Sequence, residues 1–364
     1  MDTNLIYMPV FRVRQQEVLA MKHFDFGDSM YPLLEIVKEK TRKNDQNTFE
    51  EIYSGLINSI TAEKVFVDLP IYINQSGSVQ DEVVRFSFSV INNLEKRVAH
   101  LNLFSDIEKV IPVISSYLLK TGEENTIAGQ ERLLRPKFNS IAFRIYINSF
   151  KEDFEEVKQL ATENDFLIID LDKLGPFKTP PIKPVVNALR EFNKCKKILL
   201  RSAINPDIEN VKLDHGQVVM EADNSQIDTD IMSTFQVNAT GDYAGIKKDN
   251  LTAGGTISPG FLYYDAVENQ YYGYKALIKG SVDEFDNTII PAILASDSTS
   301  RMLQSEPPFL STDNWGYDTL LKISRKEESG RSQAKFKRIA IEHYLYCMKI
   351  LIEKGELTQT NLPS

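Results

Sequence analysis

The chain has 364 residues, 42% of them hydrophobic and 26% charged, an ordinary globular composition with enough length to bury a large core. A formal net charge of −9 argues against non-specific binding to DNA or RNA, which needs phosphate-neutralising cations, although a local basic stretch would still hold an anion. No window reaches the roughly 18 apolar residues of a membrane span. Acidic Asp2 stands where a secretory leader would be basic, so a cytoplasmic protein with no membrane partner is expected. Cys195 and Cys347 lie far apart and on different predicted helices, as thiols of a reducing compartment without metal-type spacing.

In chain order, five apolar runs of strand length each end in one charged side chain. They are Pro32-Leu33-Leu34-Glu35, Val65-Phe66-Val67-Asp68, Ile141-Ala142-Phe143-Arg144, Leu167-Ile168-Ile169-Asp170 and Ile198-Leu199-Leu200-Arg201. Short runs of Val, Ile, Leu and Phe without strict alternation suit parallel strands covered on both faces. Residues 110–115 make a sixth strand, and the weaker segments 242–246 and 274–278 bring the count to eight. Between them, Phe49, Ile52, Tyr53, Leu56, Ile57 and Ile60 recur with the spacing of one helix face, behind the acidic first turn of Glu50 and Glu51. Phe150, Phe154, Val157 and Leu160 repeat the pattern, as do Val185, Leu189 and Phe192 after the proline-rich entry at 179–184. Alternating strands and helices predict a parallel sheet. Eight units close as a TIM-type (β/α)8 barrel and fewer leave an open doubly wound sheet; the spacing favours the barrel.

One barrel-like α/β domain over 1–364 is therefore expected, with regular βα units over 1–204, irregular units over 205–280 and a helical part over 281–364. Residues 205–237 are polar, with Asp214-His215-Gly216 reading as a turn. The glycine-rich loop at 254–260 suits a phosphate in composition but lacks both GxGxxG and Walker spacing. Phe261 to Tyr264 and Tyr271 to Tyr274 flank a turn as a β-hairpin. Residues 334–354 form an amphipathic helix with Phe336, Ile339, Ala340, His343, Tyr344 and Cys347 along one face.

Ligands bind at the C-terminal ends of the strands in α/β barrels. Glu35, Asp68, Arg144, Asp170, Arg201 and Asp242 would form one ring there, with Asp172 beside it. The acids suit a divalent metal, the arginines suit a bidentate phosphate or carboxylate, and Tyr243 and Tyr274 suit stacking on a base or sugar. The competing reading is a buried ion-pair network in which Arg144 and Arg201 neutralise neighbouring acids. His23, His100 and His215 fall away from the strand ends, which disfavours a His-pair phosphodiesterase or a barrel zinc hydrolase. His343 is the best single histidine, with a core or capping role competing. There is no G-x-S-x-G elbow, and a Schiff-base lysine inside a strand would have to be Lys275, whose tyrosine neighbours suit a half-exposed hairpin better.

The opening Tyr7-x-Pro9, Arg12-x-Arg14, Glu17 and Ala20, followed by Tyr31-Pro32-Leu33-Leu34-Glu35-Ile36, resembles the start of the phage "beta protein" family. Gly241-Asp242-Tyr243 is similar to the family's Ser-Asp-Tyr-Gly element, and the hairpin from Leu262 to Gly280 to its Arg-Tyr-Thr and Arg-Gly pair. Gln16, Lys279, Tyr344 and Phe336-Lys337 depart from the family pattern. The resemblance implies a bacterial or prophage protein of an anti-phage defence or toxin-control locus, because the family's namesake lies beside a killer protein whose toxicity it restrains. It implies no chemistry. Two classes of function stand: an interaction or regulatory scaffold for a protein encoded by a neighbouring gene, anchored by exposed hairpin tyrosines, and a metal-assisted phosphodiesterase or nucleotide-processing enzyme. A phosphorylated small molecule is a candidate ligand for either, and no cofactor beyond a divalent metal is expected.

Overall fold

Eight parallel strands close into a barrel in the computed structural model. It describes residues 4–40, 46–73, 79–174, 180–202, 204–205, 207–219, 233–248, 251, 258–278 and 280–357. The barrel strands are β1 (Tyr7–Phe11), β2 (Leu33–Glu35), β3 (Val65–Asp68), β4 (Val110–Ile114), β5 (Ala142–Tyr146), β6 (Phe166–Asp170), β7 (Lys196–Leu200) and β9 (Ala239–Asp242). Each pairs with the next, and β9 closes the ring on β1 with Pro9 opposite Asp242. Between β7 and β9 the chain contributes β8 (Gln217–Val218) to a separate antiparallel sheet with the hairpin β10 (Gly260–Asp265) and β11 (Gln270–Lys275).

Side chains alternate along a strand, so each barrel strand serves two cores. Val10, Leu33, Phe66, Val113, Ile168 and Leu200 fill the barrel interior. Their neighbours Phe11, Leu34, Val67, Ile114, Leu167 and Leu199 pack outward against the helices. The expected helices form where the apolar stripes lie, at Phe49–Ser59, Phe150–Leu160 and Lys183–Glu191. Thr48 and Glu51 start the first of them with a reciprocal capping box, which satisfies two orphan N–H groups.

Two strand expectations are corrected. The eighth barrel strand is not 274–278 but Tyr7–Phe11, and Tyr274 belongs to the hairpin. Pro9 lacks a ladder donor, which is the signal that argues against a central strand. The strand expected at 242–246 lies earlier, at Ala239–Asp242. Four of the five hairpin tyrosines are not exposed anchors either: Tyr263, Tyr264, Tyr271 and Tyr274 are buried, and Tyr272 is partly buried. Tyr263, Tyr264 and Tyr271 lie under the last helix, Gln333–Glu353, where Tyr264 and Tyr271 meet Tyr344 with ring centroids 4.8 and 6.3 Å away. Residues 254–257 of the glycine-rich loop lie outside the described residues.

This last helix is clasped to the barrel at Asp242. That carboxylate accepts hydrogen bonds from the Tyr7 hydroxyl of β1, from the Tyr344 hydroxyl at 2.5 Å and from the backbone N–H of Ala244 at 2.8 Å. Close beside it, Gly245 has φ +73, and a Cβ there would stand 2.4 Å from the Tyr344 ring. Gly245→Ala is expected to destabilise the fold by roughly 2–5 kcal/mol, from left-handed strain plus overpacking. Gly27, at φ +61 with nothing within 4 Å, carries only the strain, so Gly27→Ala should cost about 1–2 kcal/mol. Urea melts of both variants check the difference; equal losses would refute the close contact with Tyr344.

Candidate functional site

Arg144, inward-facing on β5, sits at the centre of the C-terminal mouth. Its Nη1 donates to Glu35 at 2.8 Å and to Asp68 at 2.7 Å, and its Nε and Nη2 fork onto Asp170 at 3.0 and 2.6 Å. Arg12 Nε donates to the other oxygen of Glu35 at 3.0 Å, and Arg97 Nη2 to the other oxygen of Asp68 at 2.9 Å. The second oxygen of Asp170 accepts the backbone N–H of Asp172 at 2.8 Å. Three carboxylates thus meet three guanidiniums, and all six carboxylate oxygens are engaged. Glu35, Asp68, Arg97, Arg144 and Asp170 are each at most 1% exposed.

Burial alone would raise Glu35, but the charges of Arg144, Arg12 and Lys248 hold its carboxyl down at about 2. Arg144 stays protonated, since the surrounding hydroxyls and carboxylates outweigh its own loss of solvent. Tyr243 caps the network: its hydroxyl donates to Glu35 at 3.2 Å, and its ring centroid is 5.7 Å from Arg12 Cζ and 5.3 Å from Lys248 Nζ.

Of the expected ring, the fold brings together Glu35, Asp68, Arg144, Asp170 and Tyr243 and separates the others. Leu200 points into the barrel, and Arg201, one residue on, lies nearer Asp242 and adds its charge to that carboxylate's surroundings. Asp242 itself faces outward, because its neighbour Tyr243 faces in. Asp172 stands at the margin, half exposed and paired with Lys248 at 2.7 Å. Tyr274 is remote from the mouth, packed near His215 and Tyr263.

His343 is also remote. It stacks on Tyr263 at 4.9 Å, and its Nε2 is 2.8 Å from the Tyr264 carbonyl. A carbonyl can only accept, so Nε2 carries the proton and Nδ1 accepts from the Asn314 amide at 2.9 Å. Burial pushes this imidazole down to about 4, which makes it a neutral core residue.

Arg12, Arg97 and Lys248 were not among the expected site residues. Arg12 stood in the opening motif, one residue past a strand that the pattern hid. Arg97 lies on the helix Leu94–Asn102, where an arginine reads as a solvated residue, yet it reaches back between β3 and β4 to bond the carbonyls of Leu69 and Val113. Outside the plugged mouth a pocket of about 570 Å³ remains. Arg12, Lys173, Lys248, Tyr72, Tyr146 and Asn148 line much of it, together with the acids Asp170, Asp172 and Asp207. Among the described residues no group of three or more His, Cys, Asp or Glu side chains is placed to hold a metal ion. Glu35, Asp68 and Asp170 are already paired with guanidiniums, which compensates the negative charge a metal ion would need.

Fold and site together define an α/β barrel whose mouth is closed by an ion-pair plug and whose wall is clasped by a C-terminal helix. The family model described as "Beta protein" matches residues 7–349, nearly the whole chain. The chain belongs to the Beta protein family. No curated protein matches it. No helix among the described residues is long and apolar enough to cross a membrane.

Removing the central cation strands three buried acids, so Arg144→Met is expected to lose about 3–5 kcal/mol by urea melting. Glu35 has its own pH signature. Its folded value, about 2, lies below the ordinary 4.5, so its stabilising contribution is complete above 4.5 and disappears as pH falls through 2. The stability gap between wild type and Glu35→Gln should therefore narrow across that window. A gap that stays constant would mean that Glu35 is not held by the arginines.

Proposed function

We propose that this Beta protein family member is a binding or regulatory scaffold of a bacterial or prophage anti-phage defence or toxin-control locus, with a protein encoded by a neighbouring gene as its partner. One observation carries the preference for binding over chemistry: all six oxygens of Glu35, Asp68 and Asp170 are hydrogen-bonded. A general base must be reachable by a substrate proton, and a metal needs carboxylates whose charge is not already compensated. The three acids of the plug are buried and each is paired with a guanidinium, which disfavours the alternative of a metal-assisted phosphodiesterase or nucleotide-processing enzyme.

What the mouth retains is recognition. Arg12, Lys173 and Lys248 supply positive charge beside the acids Asp170, Asp172 and Asp207, Asn148 a polar amide, and the paired rings of Tyr72 and Tyr146, 3.9 Å apart, an aromatic wall. That chemistry suits a phosphorylated small molecule carrying a flat group, which would regulate the scaffold from the rim. Burial does not strip Lys248 of its proton, because Tyr243, Asp170, Glu35 and Asp172 surround it.

A thermal-shift screen of the pure protein against nucleotides and phosphorylated metabolites, with and without divalent metals, tests the pocket. A ligand at a hundred times its Kd adds about 2.7 kcal/mol of stability. The expected outcome is a metal-independent rise in Tm that Lys248→Met removes while the variant stays folded. Co-purification with the neighbouring gene product tests the scaffold. Metal-dependent phosphodiester cleavage abolished by Asp170→Asn would overturn the reading in favour of an enzyme.

A further inference from the structure

A second cleft, of about 410 Å³, lies on the flank of the barrel between the first helix, Gln15–His23, and the last, Gln333–Glu353. The first helix runs antiparallel to the strand before it, so its C-terminal end and this cleft lie toward the end of the barrel opposite the plugged mouth. The last turn of Gln333–Glu353 borders the same cleft, so two helix C-termini bring partial negative charge to it. The start of the nearby helix Trp315–Ser324 is capped by the Asn314 side chain, which accepts from the Tyr317 N–H.

The side chains have the same polarity. Asp25, Asp313, Glu342 and Glu353 line the cleft, against Lys349 within it and Arg338, whose Nε is 3.4 Å from Glu342. Glu342 is only 4% exposed, and its Oε2 has no hydrogen-bond partner. Burial pushes this carboxyl up to about 7 against the pull of Arg338. An unsatisfied buried carboxylate oxygen at an open cleft is costly unless a donor arrives. Aromatic rings complete the wall. Trp315 is 49% exposed with the His23 ring 4.8 Å away, and Phe24 already carries Lys349 Nζ 5.9 Å from its centroid.

We propose that this cleft receives an arginine side chain from a basic segment of a protein partner. A planar guanidinium stacks on an indole face while its forked donors reach carboxylates, a combination that an ammonium matches less well. The exposed margin is acidic at Asp25, Asp313 and Glu353, so a free amino acid would bring its own carboxylate against like charge. An arginine within a polypeptide carries no such group. This site is independent of the rim pocket and of its anionic ligand.

Trp315 is the single tryptophan of the chain, so intrinsic tryptophan emission reports on this cleft directly. The full-length protein is titrated with N-acetyl-arginine amide, N-acetyl-citrulline amide, free arginine and spermidine. The expected result is a saturable change in emission with the arginine amide, at least tenfold weaker binding of free arginine, and no saturation with the neutral citrulline analogue. Glu342→Gln should weaken the arginine amide at least tenfold while far-UV circular dichroism is unchanged. Should that variant fail to fold, the exposed double variant Asp313→Asn/Glu353→Gln gives the same test, with at least a threefold loss expected. An equal response to citrulline, no response to the arginine amide, or a response to spermidine alone would overturn the proposal. Free arginine binding as tightly as its amide would assign the cleft to a small metabolite and overturn it as well.

Discussion

Arg144 is the constraint on which the rest of the barrel depends. A guanidinium withdrawn from water is tolerable only when opposite charges surround it with good geometry. Here β2, β3 and β6 must end level with one another so that Glu35, Asp68 and Asp170 reach the same cation. Arg12, just past β1, and Arg97, from an outer helix, then balance the acids, so that three guanidiniums face three carboxylates at the mouth. Such a plug does not add much net stability over an apolar one of the same volume. Its value is specificity, since a slipped strand would leave an acid unpaired in the core.

A second polar contact divides the molecule differently. Asp242 and Tyr243 are adjacent, yet one clasps the C-terminal helix through Tyr7 and Tyr344 while the other caps the plug through Glu35. The barrel wall is only one strand thick, so consecutive residues belong to separate environments. Through that wall the C-terminal helix is held at a set position over the hairpin tyrosines. Its far end then forms one side of the acidic flank cleft. The two pockets differ in charge as well as in place: the rim pocket mixes three bases with three acids, whereas acids outnumber bases on the flank.

Much of the candidate site was legible because a charge at the end of an apolar run is a local signal. Glu35, Asp68, Arg144 and Asp170 announce themselves that way, and their strands are pure enough to count. Arg201 carries the same signal and lies elsewhere, because Leu200 takes the inward position and alternation turns its neighbour out. Arg97 carries no signal at all. Its role arises when a helix surface meets the carbonyls of Leu69, just past β3, and Val113 of β4 across 28 and 16 residues of chain. The hairpin tyrosines were readable as a hairpin but not as core, since what covers them is a helix about 80 residues further on, whose His343 Nε2 donates to the Tyr264 carbonyl.

By itself the sequence determined the class of fold: apolar runs spaced by amphipathic stripes can bury their surfaces only as a parallel sheet wrapped in helices, and that pattern is local. It also determined the family, through motifs distributed along the whole chain. Closure on Tyr7–Phe11, the inward or outward sense of each rim charge and the pairing of every acid were decided only in three dimensions. The reason is physical. Which charges share a dry site depends on strand register and on which face each residue presents, and both are set by long-range packing rather than by neighbours in the chain.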